Sequence, residues 1–324
     1  DFDTEGDYVG EIRVAGDEFS DDNSYYFTVD VLPKISVLLV NGEASDNWFD
    51  DEGHWFGLAV SGTDSSPFSL ETIDPAELSA AAMRRSDVVA LLNVGELTNS
   101  QAVALSEYVG DGGSLLIAPG DRVDEKAFNQ RLGEISPARL DQMGLLGRDD
   151  YLVIADYDRR HPIMRPLGSD WPARFQGHWR LTPSDDANVL MRFDNTEAAL
   201  VEKDVGEGKV LLFASSLDLE WNNLALQGLF LPFVHETLRH LVRSEVGQTA
   251  YEIGDSISLD QFVSDTEVSV MDADGRSVSL ESSNLQRATS PGLFTATSGA
   301  GSTRYAVNIL PEESNFARVA TSTL

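Results

Sequence analysis

The chain has 324 residues, of which 54 are acidic and 23 basic, and its formal net charge is −31. This charge argues against binding to nucleic acid, since few cationic side chains are available to release phosphate counterions, and against binding to an anionic membrane surface. The chain has no cysteine, which excludes disulfides, thiolate metal sites and a cysteine nucleophile.

The acidic residues are scattered along the whole chain, and lysine occurs at only four positions, which are Lys34, Lys126, Lys203 and Lys209. One interpretation is a solvated surface suited to high salt, because the Debye length falls to about 3 Å at 1 M and self-repulsion is screened. The other is a surface that binds cations or a basic partner. We favour the first interpretation, because the acidic residues are spread over the whole chain and lysine is scarce throughout it.

Residues 1–34 are predicted to form the terminal β-hairpin of an Ig-like β-domain. Tyr8–Val14 and Tyr25–Leu32 alternate in polarity, and Gly16-Asp17 and Ser20–Asn23 have the composition of turns. Two strands are not stable alone in water, so the hairpin needs another surface to pack against. Strands near the C-terminus are one candidate, because the ends of an α/β domain often lie close together.

Residues 35–246 switch to strand–helix alternation, which predicts a doubly wound, flavodoxin-like α/β domain with a mostly parallel sheet and helices on both faces. The predicted strands are Ser36–Val40, Phe68–Ile73, Asp87–Val94, Ser114–Ala118, Tyr151–Ala155, Arg174–His178, Asn188–Phe193, Ala198–Lys203 and Val210–Ala214. The predicted helices are His54–Val60, one opened by Asp74-Pro75, Asn99–Val109, one around Glu125–Leu132, and Leu226–Arg243.

Residues 249–324 return to the period of two that is typical of strands and predict a small β-sandwich. The predicted strands are Ser256–Leu259, Glu267–Met271, Ser277–Leu280, Gly292–Ala296 and Arg304–Leu310. Asp272–Gly275 has the composition of a hairpin turn between two of them.

The chain begins DFDTEGDY, partway into a strand pattern and without the basic and apolar regions of a signal peptide, so we expect a piece of a longer polypeptide. No apolar run reaches the roughly 18–20 residues that cross a bilayer.

Polar residues follow several predicted strands, where α/β sheets bind their ligands. A binding site at this edge would use Asn41, Glu43, Asn93, Glu96, Asp156, Asp158, His161, Ser215, Ser216, Asp218 and Trp221. The five tryptophans lie in loops near strand ends and could add a recognition surface or simply cap the core. They are Trp48, Trp55, Trp171, Trp179 and Trp221.

Class I amidotransferases share this element order and carry a cysteine at a sharp strand-to-helix turn. The matching turn here, Pro119–Arg122, contains no such nucleophile. Ser215 or Ser216 could pair with His161 and Asp218, but the chain has no G-x-S-x-G elbow, and base and nucleophile must lie within hydrogen-bond reach. We therefore predict no catalytic residue.

We also predict no metal and no cofactor. The loop Asp156–Pro162 has an Asp and His spacing that could hold a metal, although a buried hydrogen-bond hub is the commoner use of such a loop. The acidic stretches Asp46–Glu52 and Asp272–Gly275 lack the fixed ligand positions of an EF-hand.

Three stretches carry a resemblance to a known family. They are DDNSYYFTVDVLPKISVLLVNGE, DYDRRHPI and ALVEKDVGEGKVLLFASSLDLEWNNLALQGLFLPFVHETLRHLV. In this order they resemble the extracytoplasmic part of Bat-type aerotolerance membrane proteins, which also contain a von Willebrand factor A domain. The resemblance spans residue 17 to about residue 318. It implies a catalytically silent amidotransferase-like domain between β-domains, on the periplasmic side of the membrane and tethered by anchors outside these residues, with ILPEESNFARV leading toward one of them.

Two functions remain open from the sequence. The first is a non-catalytic interaction or scaffold module that works with protein partners in a membrane-anchored assembly. The second is a hydrolase or a small-ligand or metal-binding domain that uses the polar edge of the sheet. A bound ligand at that edge would favour the second.

The high-salt interpretation makes a direct prediction. Between roughly 0.1 M and 3 M NaCl the free energy of unfolding should rise, because added ions screen the repulsion among the carboxylates. Urea denaturation at each salt concentration measures this rise. Equal stability at both salt concentrations would contradict the interpretation.

Overall fold

A computed structural model of the chain describes residues 6–14, 23–31, 33–63, 66–147, 149–168, 171–242, 249–259, 268–281, 285–298 and 301–309. The chain divides into two compact units, one formed by residues 1–33 and 244–324 and the other by residues 34–243. The predicted turn at Gly16-Asp17, residue 267 of the predicted strand Glu267–Met271, and all but the first residue of ILPEESNFARV lie outside the described residues.

The N-terminal strands form the predicted antiparallel hairpin. Strand β1 is Gly6–Arg13 and strand β2 is Ser24–Val31. The backbone N–H of Tyr26 donates to Asn308 Oδ1 at 2.7 Å, and Asn308 Nδ2 donates to the Tyr26 carbonyl at 2.9 Å. The hairpin therefore contacts the C-terminal strand that contains Asn308.

The larger unit alternates strands and helices. Its strands are β3 (Ile35–Asn41), β4 (Phe68–Ile73), β5 (Val88–Leu92), β6 (Ser114–Ala118), β7 (Ala138–Leu145), β8 (Ile154–Tyr157), β9 (Gly177–Pro183), β10 (Asn188–Phe193), β11 (Ala198–Val205) and β12 (Gly208–Phe213). Its helices are α1 (Glu52–Ser61), α2 (Ala80–Met83), α3 (Asn99–Gly110), α4 (Glu125–Leu132) and α5 (Phe230–Val242).

The central sheet has the strand order β4-β3-β5-β6-β12-β11-β10-β8. Neighbouring strands from β4 to β12 pair in parallel, and the remaining three pairs are antiparallel. All residues of β5 and β6 are buried, as expected for strands covered on both faces. The unit is a mixed α/β fold with a large, mainly parallel sheet.

Helix ends follow local rules that the sequence already contains. Asp51 caps α1 by accepting from the His54 backbone N–H at 3.2 Å, and Thr98 and Gln101 form a capping box at the start of α3. The helix predicted after Asp74-Pro75 is only a 3₁₀ turn, Pro75–Glu77, followed by the short α2.

Two strand predictions in the second half of this unit are wrong. Tyr151–Ala155 was predicted as a strand of the mostly parallel sheet, but β8 starts at Ile154 and is an antiparallel edge strand. Arg174–His178 was expected as a strand, but β9 starts at Gly177 and pairs with β7 in a separate two-stranded sheet. β7 was not predicted as a strand from the sequence. Its burial alternates only over its first residues, so it lacks the regular pattern of a strand.

The C-terminal strands build a four-stranded sheet, β13-β18-β17-β15, and a two-stranded sheet, β14-β16. They are β13 (Ala250–Glu252), β14 (Ser256–Ser258), β15 (Ser269–Asp272), β16 (Leu285–Arg287), β17 (Gly292–Ser298) and β18 (Gly301–Asn308). The turn at Asp272–Gly275 is confirmed, with Gly275 at φ +77°. The predicted strand Ser277–Leu280 is wrong: Ser277 makes only an isolated bridge to Met271. The Ig-like class of this unit stays a prediction.

No helix among the described residues is long and apolar enough to span a bilayer.

Gly208, at the start of β12, tests how tightly the central sheet packs. A Cβ atom there would lie 2.1 Å from the Gly113 carbonyl oxygen and 2.3 Å from that of Val109, and backbone cannot yield as a side chain can. We expect Gly208→Ala to lower the free energy of unfolding by about 1–3 kcal/mol in urea denaturation. Gly228→Ala is the matched control, because its Cβ would meet open space. Equal stability of the two variants would contradict this packing.

Candidate functional site

The carboxyl edge of the sheet, defined here as the C-terminal ends of β3, β5, β6 and β12 with the loops that follow them, is held together by Asn93. Its Nδ2 donates to Glu43 Oε2 at 2.9 Å and to Asp121 Oδ1 at 3.0 Å, and its Oδ1 accepts from the Arg122 backbone N–H at 3.0 Å. Asn93 has φ +48°, a left-handed conformation that Asn tolerates better than most residues and that is common at functional sites. One buried amide therefore joins three loops.

Two glycines allow this close approach. A Cβ at Gly42 would lie 2.0 Å from the Asn93 carbonyl oxygen, and one at Gly120 would lie 2.5 Å from Asn93 Cγ. The loops after β3 and β6 can contact Asn93 only because both positions lack a side chain.

Charged and amide groups complete the first half of the edge. Arg122 Nη2 lies 2.7 Å from Glu43 Oε1, in a partly exposed ion pair. Asn41 Nδ2 donates to Asp51 Oδ1 at 2.9 Å, and Asn41 Oδ1 accepts from the Glu43 backbone N–H at 3.3 Å. These contacts give Glu43, Asp51 and Asn41 hydrogen-bond partners.

Two buried carboxyl groups remain short of donors. Glu52 is 0% exposed, and neither of its carboxylate oxygens has a hydrogen-bond partner. Asp218 is 1% exposed; its Oδ1 accepts from Ser216 Oγ at 2.5 Å and from the Glu220 backbone N–H at 3.1 Å, while its Oδ2 has no partner. Such groups are rare in native proteins and call for a proton or a bound donor.

The same surroundings raise the pKa values of these acids. Burial raises the pKa of Glu52 well above its usual range, and the nearby charges of Asp218, Glu43 and Asp121 raise it further. Burial also raises the pKa of Asp218, against the hydrogen bond from Ser216. The pKa of Glu220 is raised by burial and then by Asp121 and Asp218. Negative charge is concentrated here beyond what the local donors compensate.

An aromatic cluster stands beside these carboxylates, on the loop after β3 and the first turn of α1. Trp48 and Phe49 stack with ring centroids 3.8 Å apart, and each is 45% exposed. His54 and Trp55 pack against Trp48 with centroids 5.5 and 5.4 Å away. The Leu219 backbone N–H donates to the Phe49 carbonyl at 3.2 Å, which joins this loop to the loop after β12.

The serines at the end of β12 are structural in this arrangement. Ser215 Oγ donates to the Gly177 carbonyl at 2.8 Å and accepts from Asn222 Nδ2 at 3.1 Å, while Ser216 Oγ donates to Asp218. Trp221 is buried and covers Gly177, where a Cβ would lie 2.4 Å from its ring. Neither hydroxyl faces a histidine.

The structure does not bring all the predicted site residues together. Asp156 and Asp158 are exposed, on or just after β8, which is separated from β12 by β10 and β11. Because β8 runs antiparallel to β12, the chain leaves it toward the amino ends of the parallel strands, and His161 contacts Glu202 instead. The prediction of a single pocket that combines the residues after β8 with the serines after β12 is therefore wrong.

Glu96 is also not among the side chains that Asn93 joins at the carboxyl edge. It is exposed and borders a small, mostly apolar cavity of about 20 Å³, which has room for about one water molecule.

The sequence analysis missed Glu52 and Glu220, and it treated Asp121 and Arg122 only as parts of a turn. The end of a strand could have indicated Asp121 and Arg122, which follow β6 after Pro119 and Gly120. Glu52 gives no such signal, because an acidic residue in the first turn of a helix is ordinarily exposed.

Comparison with known proteins is informative at the level of fold. No protein-family model matches the chain, and a search of curated proteins finds no match. Among solved structures, the chain is similar to Cytoplasmic Protein STM3548 from Salmonella typhimurium, with 16% identity and a TM-score of 0.51, over 74% of this chain and 97% of that one. Cytoplasmic Protein STM1381 from Salmonella typhimurium LT2 gives 16% identity, a TM-score of 0.50 and the same coverage.

A protein described as ThuA-like from Bacteroides uniformis has 13% identity and a TM-score of 0.49, over 65% of this chain and 93% of that one. At such identities the first two similarities support the mixed α/β fold alone, and the third supports no argument by itself.

Glu52 makes stability depend on pH in a specific direction. The unfolded chain ionises this group near pH 4.5, whereas the folded chain holds its proton to higher pH. The folded state then binds more protons, so this group lowers stability as pH rises above about 4.5. We expect Glu52→Gln to match the wild type near pH 4 and to exceed it at pH 8, by about 1.4 kcal/mol for each pH unit between the two pKa values.

Urea denaturation of both proteins at each pH, at constant salt, measures the difference. Glu107→Gln, which removes an exposed acid from α3, should show no such divergence. If Glu52→Gln lost stability relative to the wild type as pH rose, Glu52 would be a stabilising anion, contrary to this assignment.

Proposed function

We propose that the larger unit is a non-enzymatic recognition module that binds a cationic group of a protein partner at its carboxyl edge. The observation that carries this proposal is the stacked, exposed Trp48–Phe49 pair, which the Leu219–Phe49 backbone hydrogen bond joins to the loop that holds the exposed carboxylate of Glu220. A guanidinium or ammonium group satisfies both features, because it stacks on an aromatic face and donates to carboxylates.

The carboxylates favour an organic cation over a bare metal ion. Among the described residues, the histidine and carboxylate ligand atoms at this edge form no group of three within 4.8 Å of one another. Hard metal ions need several oxygens at about 2.0–2.6 Å, so the spacing suits a larger group that donates in several directions. Glu220 is exposed, and Glu43 and Asp121 are joined through Asn93, so this edge holds several charged oxygens.

Several observations weigh against catalysis at this edge. The chain has no cysteine, and the hydroxyls of Ser215 and Ser216 are engaged with Gly177 and Asp218. His161 lies with Glu202 and not with either serine. The nucleophile–base pairs considered from the sequence are therefore not assembled, and this supports recognition over hydrolysis.

We also infer a finer assignment. The parallel strand order and the turn at Pro119–Arg122 support an amidotransferase-like sheet that has lost its nucleophile, and the quoted motifs support membership of the Bat-type group. On that proposal the chain is an extracytoplasmic part of a membrane-anchored, periplasmic protein. Localisation of the full-length protein, by protease accessibility of intact and of permeabilised spheroplasts, tests this; protection in intact spheroplasts would overturn it.

Recognition of a cation can be measured with matched peptides. The probes are a short neutral peptide with a single central arginine and the same peptide with citrulline, which keeps the shape but removes the charge. Isothermal titration in 1 M NaCl screens long-range attraction to the acidic surface, because the Debye length is then about 3 Å. We expect the arginine peptide to bind and the citrulline peptide to bind at least about fivefold more weakly.

Variants locate that binding. Trp48→Ala and Glu220→Gln should each weaken arginine-peptide binding by about fivefold or more, since each removes one contact of the cation. Tyr25→Ala and Glu107→Gln, which remove an exposed aromatic ring and an exposed acid elsewhere, should leave it unchanged. Equal binding of the two peptides, or equal losses in all four variants, would overturn the proposal.

A further inference from the structure

Three metal-binding side chains converge in the larger unit, away from the carboxyl edge. His161 lies in the turn that follows β8, Glu202 lies on β11, and His240 lies in the last turn of α5. Their ligand atoms all lie within 4.8 Å of one another, and all three side chains are largely buried. They are 41 and 38 residues apart in sequence, so only the fold brings them together.

One of the two ligand distances matches the dimensions of a metal site. His161 Nε2 lies 3.4 Å from Glu202 Oε1, and His240 Nε2 lies 2.5 Å from Glu202 Oε2. Two ligands at about 2.0–2.2 Å from a tetrahedral zinc ion are about 3.4 Å apart. The first distance already fits, and the second requires the His240 ring to move back by about 1 Å when an ion replaces the shared proton.

Each ligand is held by its own element. The His161 backbone N–H donates to Asp158, and the His161 carbonyl accepts from Met164 and Arg165, in a closed turn. Glu202 sits in the interior of β11, paired with Asn188 on β10 and with Leu211 on β12. Little conformational entropy is therefore left to lose when an ion binds, which is the main requirement of a preorganised site.

Besides the two imidazoles, the carboxylate of Glu202 has a cationic neighbour. Lys209 Nζ also lies 3.6 Å from Glu202 Oε2, yet it is closer to Asp204, at 2.6 Å from Oδ1. The ammonium group therefore has another partner if an ion takes its place beside Glu202.

We propose that His161, Glu202 and His240 bind a divalent transition-metal ion of the zinc class. Two imidazoles and one carboxylate are ligands that suit Zn²⁺ and Co²⁺ and that do not suit Mg²⁺ or Ca²⁺. This departs from the sequence-based expectation of no metal, because that expectation considered His161 only with the aspartates of its own loop. It is independent of the function proposed for the carboxyl edge.

The competing arrangement is a hydrogen-bond hub without metal. In it the two Nε2–H groups donate to the two oxygens of Glu202, and His161 Nδ1 accepts from the Ile163 backbone N–H at 3.4 Å. Metal binding instead places the imidazole proton of His161 on Nδ1. The long Ile163 contact is then given up, which is a weak interaction to lose.

The test uses the full 324-residue chain without a histidine tag, after dialysis against a chelator. Co²⁺ is titrated in 1 M NaCl with excess Mg²⁺, which occupies sites built only from oxygen. We expect saturation at one Co²⁺ per chain, with the strong visible absorption of a tetrahedral ion, and displacement of that signal by Zn²⁺. The absence of this saturable band would overturn the proposal.

Variants separate the site from general cation binding. Glu202→Gln and His240→Asn should each weaken Co²⁺ affinity by about 100-fold or more, since even residues that only support metal ligands affect affinity by about 10–100-fold. His54→Gln removes an exposed histidine outside the cluster and should leave affinity unchanged. Equal affinity in Glu202→Gln and the wild type would place the ion elsewhere.

Lys209→Met is a second test, and its result does not depend on whether the variants that lose a buried ligand still fold. It keeps all three ligands and removes the competing ammonium group, so Co²⁺ affinity should rise several-fold. A fall in affinity would contradict the proposed geometry, because Lys209 would then support the ion instead of competing with it.

Discussion

The hydrogen bonds of Asn93 are the constraint on which the carboxyl edge of the sheet depends. Four parallel strands end there, and the loops after β3, β6 and β12 each bring at least one carboxylate to the same place. Unpaired, such charges would repel one another and pay for their desolvation. The Asn93 amide and the Arg122 guanidinium neutralise or bridge Glu43 and Asp121, but they do not reach Glu52 or Asp218. Because the strands end at this edge, Glu52 and Asp218 meet there with carboxylate oxygens that have no hydrogen-bond donor.

Sequence reasoning succeeded for elements whose pattern is local. β5, β6 and β12 are continuous apolar runs bounded by turns, and such runs predict buried parallel strands in an α/β order. Sequence reasoning failed where the direction of a strand decides which edge of the sheet the following loop reaches. β8 has four residues, of which Ile154 alone is buried, so nothing in it distinguishes a central parallel strand from an antiparallel edge strand. Direction depends on β10, which pairs with β8, and on β11, which pairs with β10, and both strands come later in the chain.

The candidate site divides in the same way. Asn41, Glu43, Asn93 and Asp218 follow buried strands, and that position alone predicts that they meet at one edge. Glu52 could not be predicted, because an isolated first-turn glutamate is normally solvated and its burial depends on tertiary packing that the local sequence does not show. The cluster of His161, Glu202 and His240 was equally hidden, since its members come from a turn, an antiparallel strand and a helix end.

The reversal of strand direction at β11 explains why the unit has two separate polar clusters instead of one. Had β8 run parallel to β12, the turn containing His161 would have left the sheet at its carboxyl edge. Because β8 and β11 both run the other way, His161 meets Glu202 within the sheet under α5, and the carboxyl edge keeps acids and aromatic rings without a histidine beside its serines. The topology therefore produces two separate sites. One holds the two histidines and the glutamate proposed to bind a metal ion, and the other holds the carboxylates and aromatic rings proposed to bind an organic cation. The net charge of −31 favours cations at both.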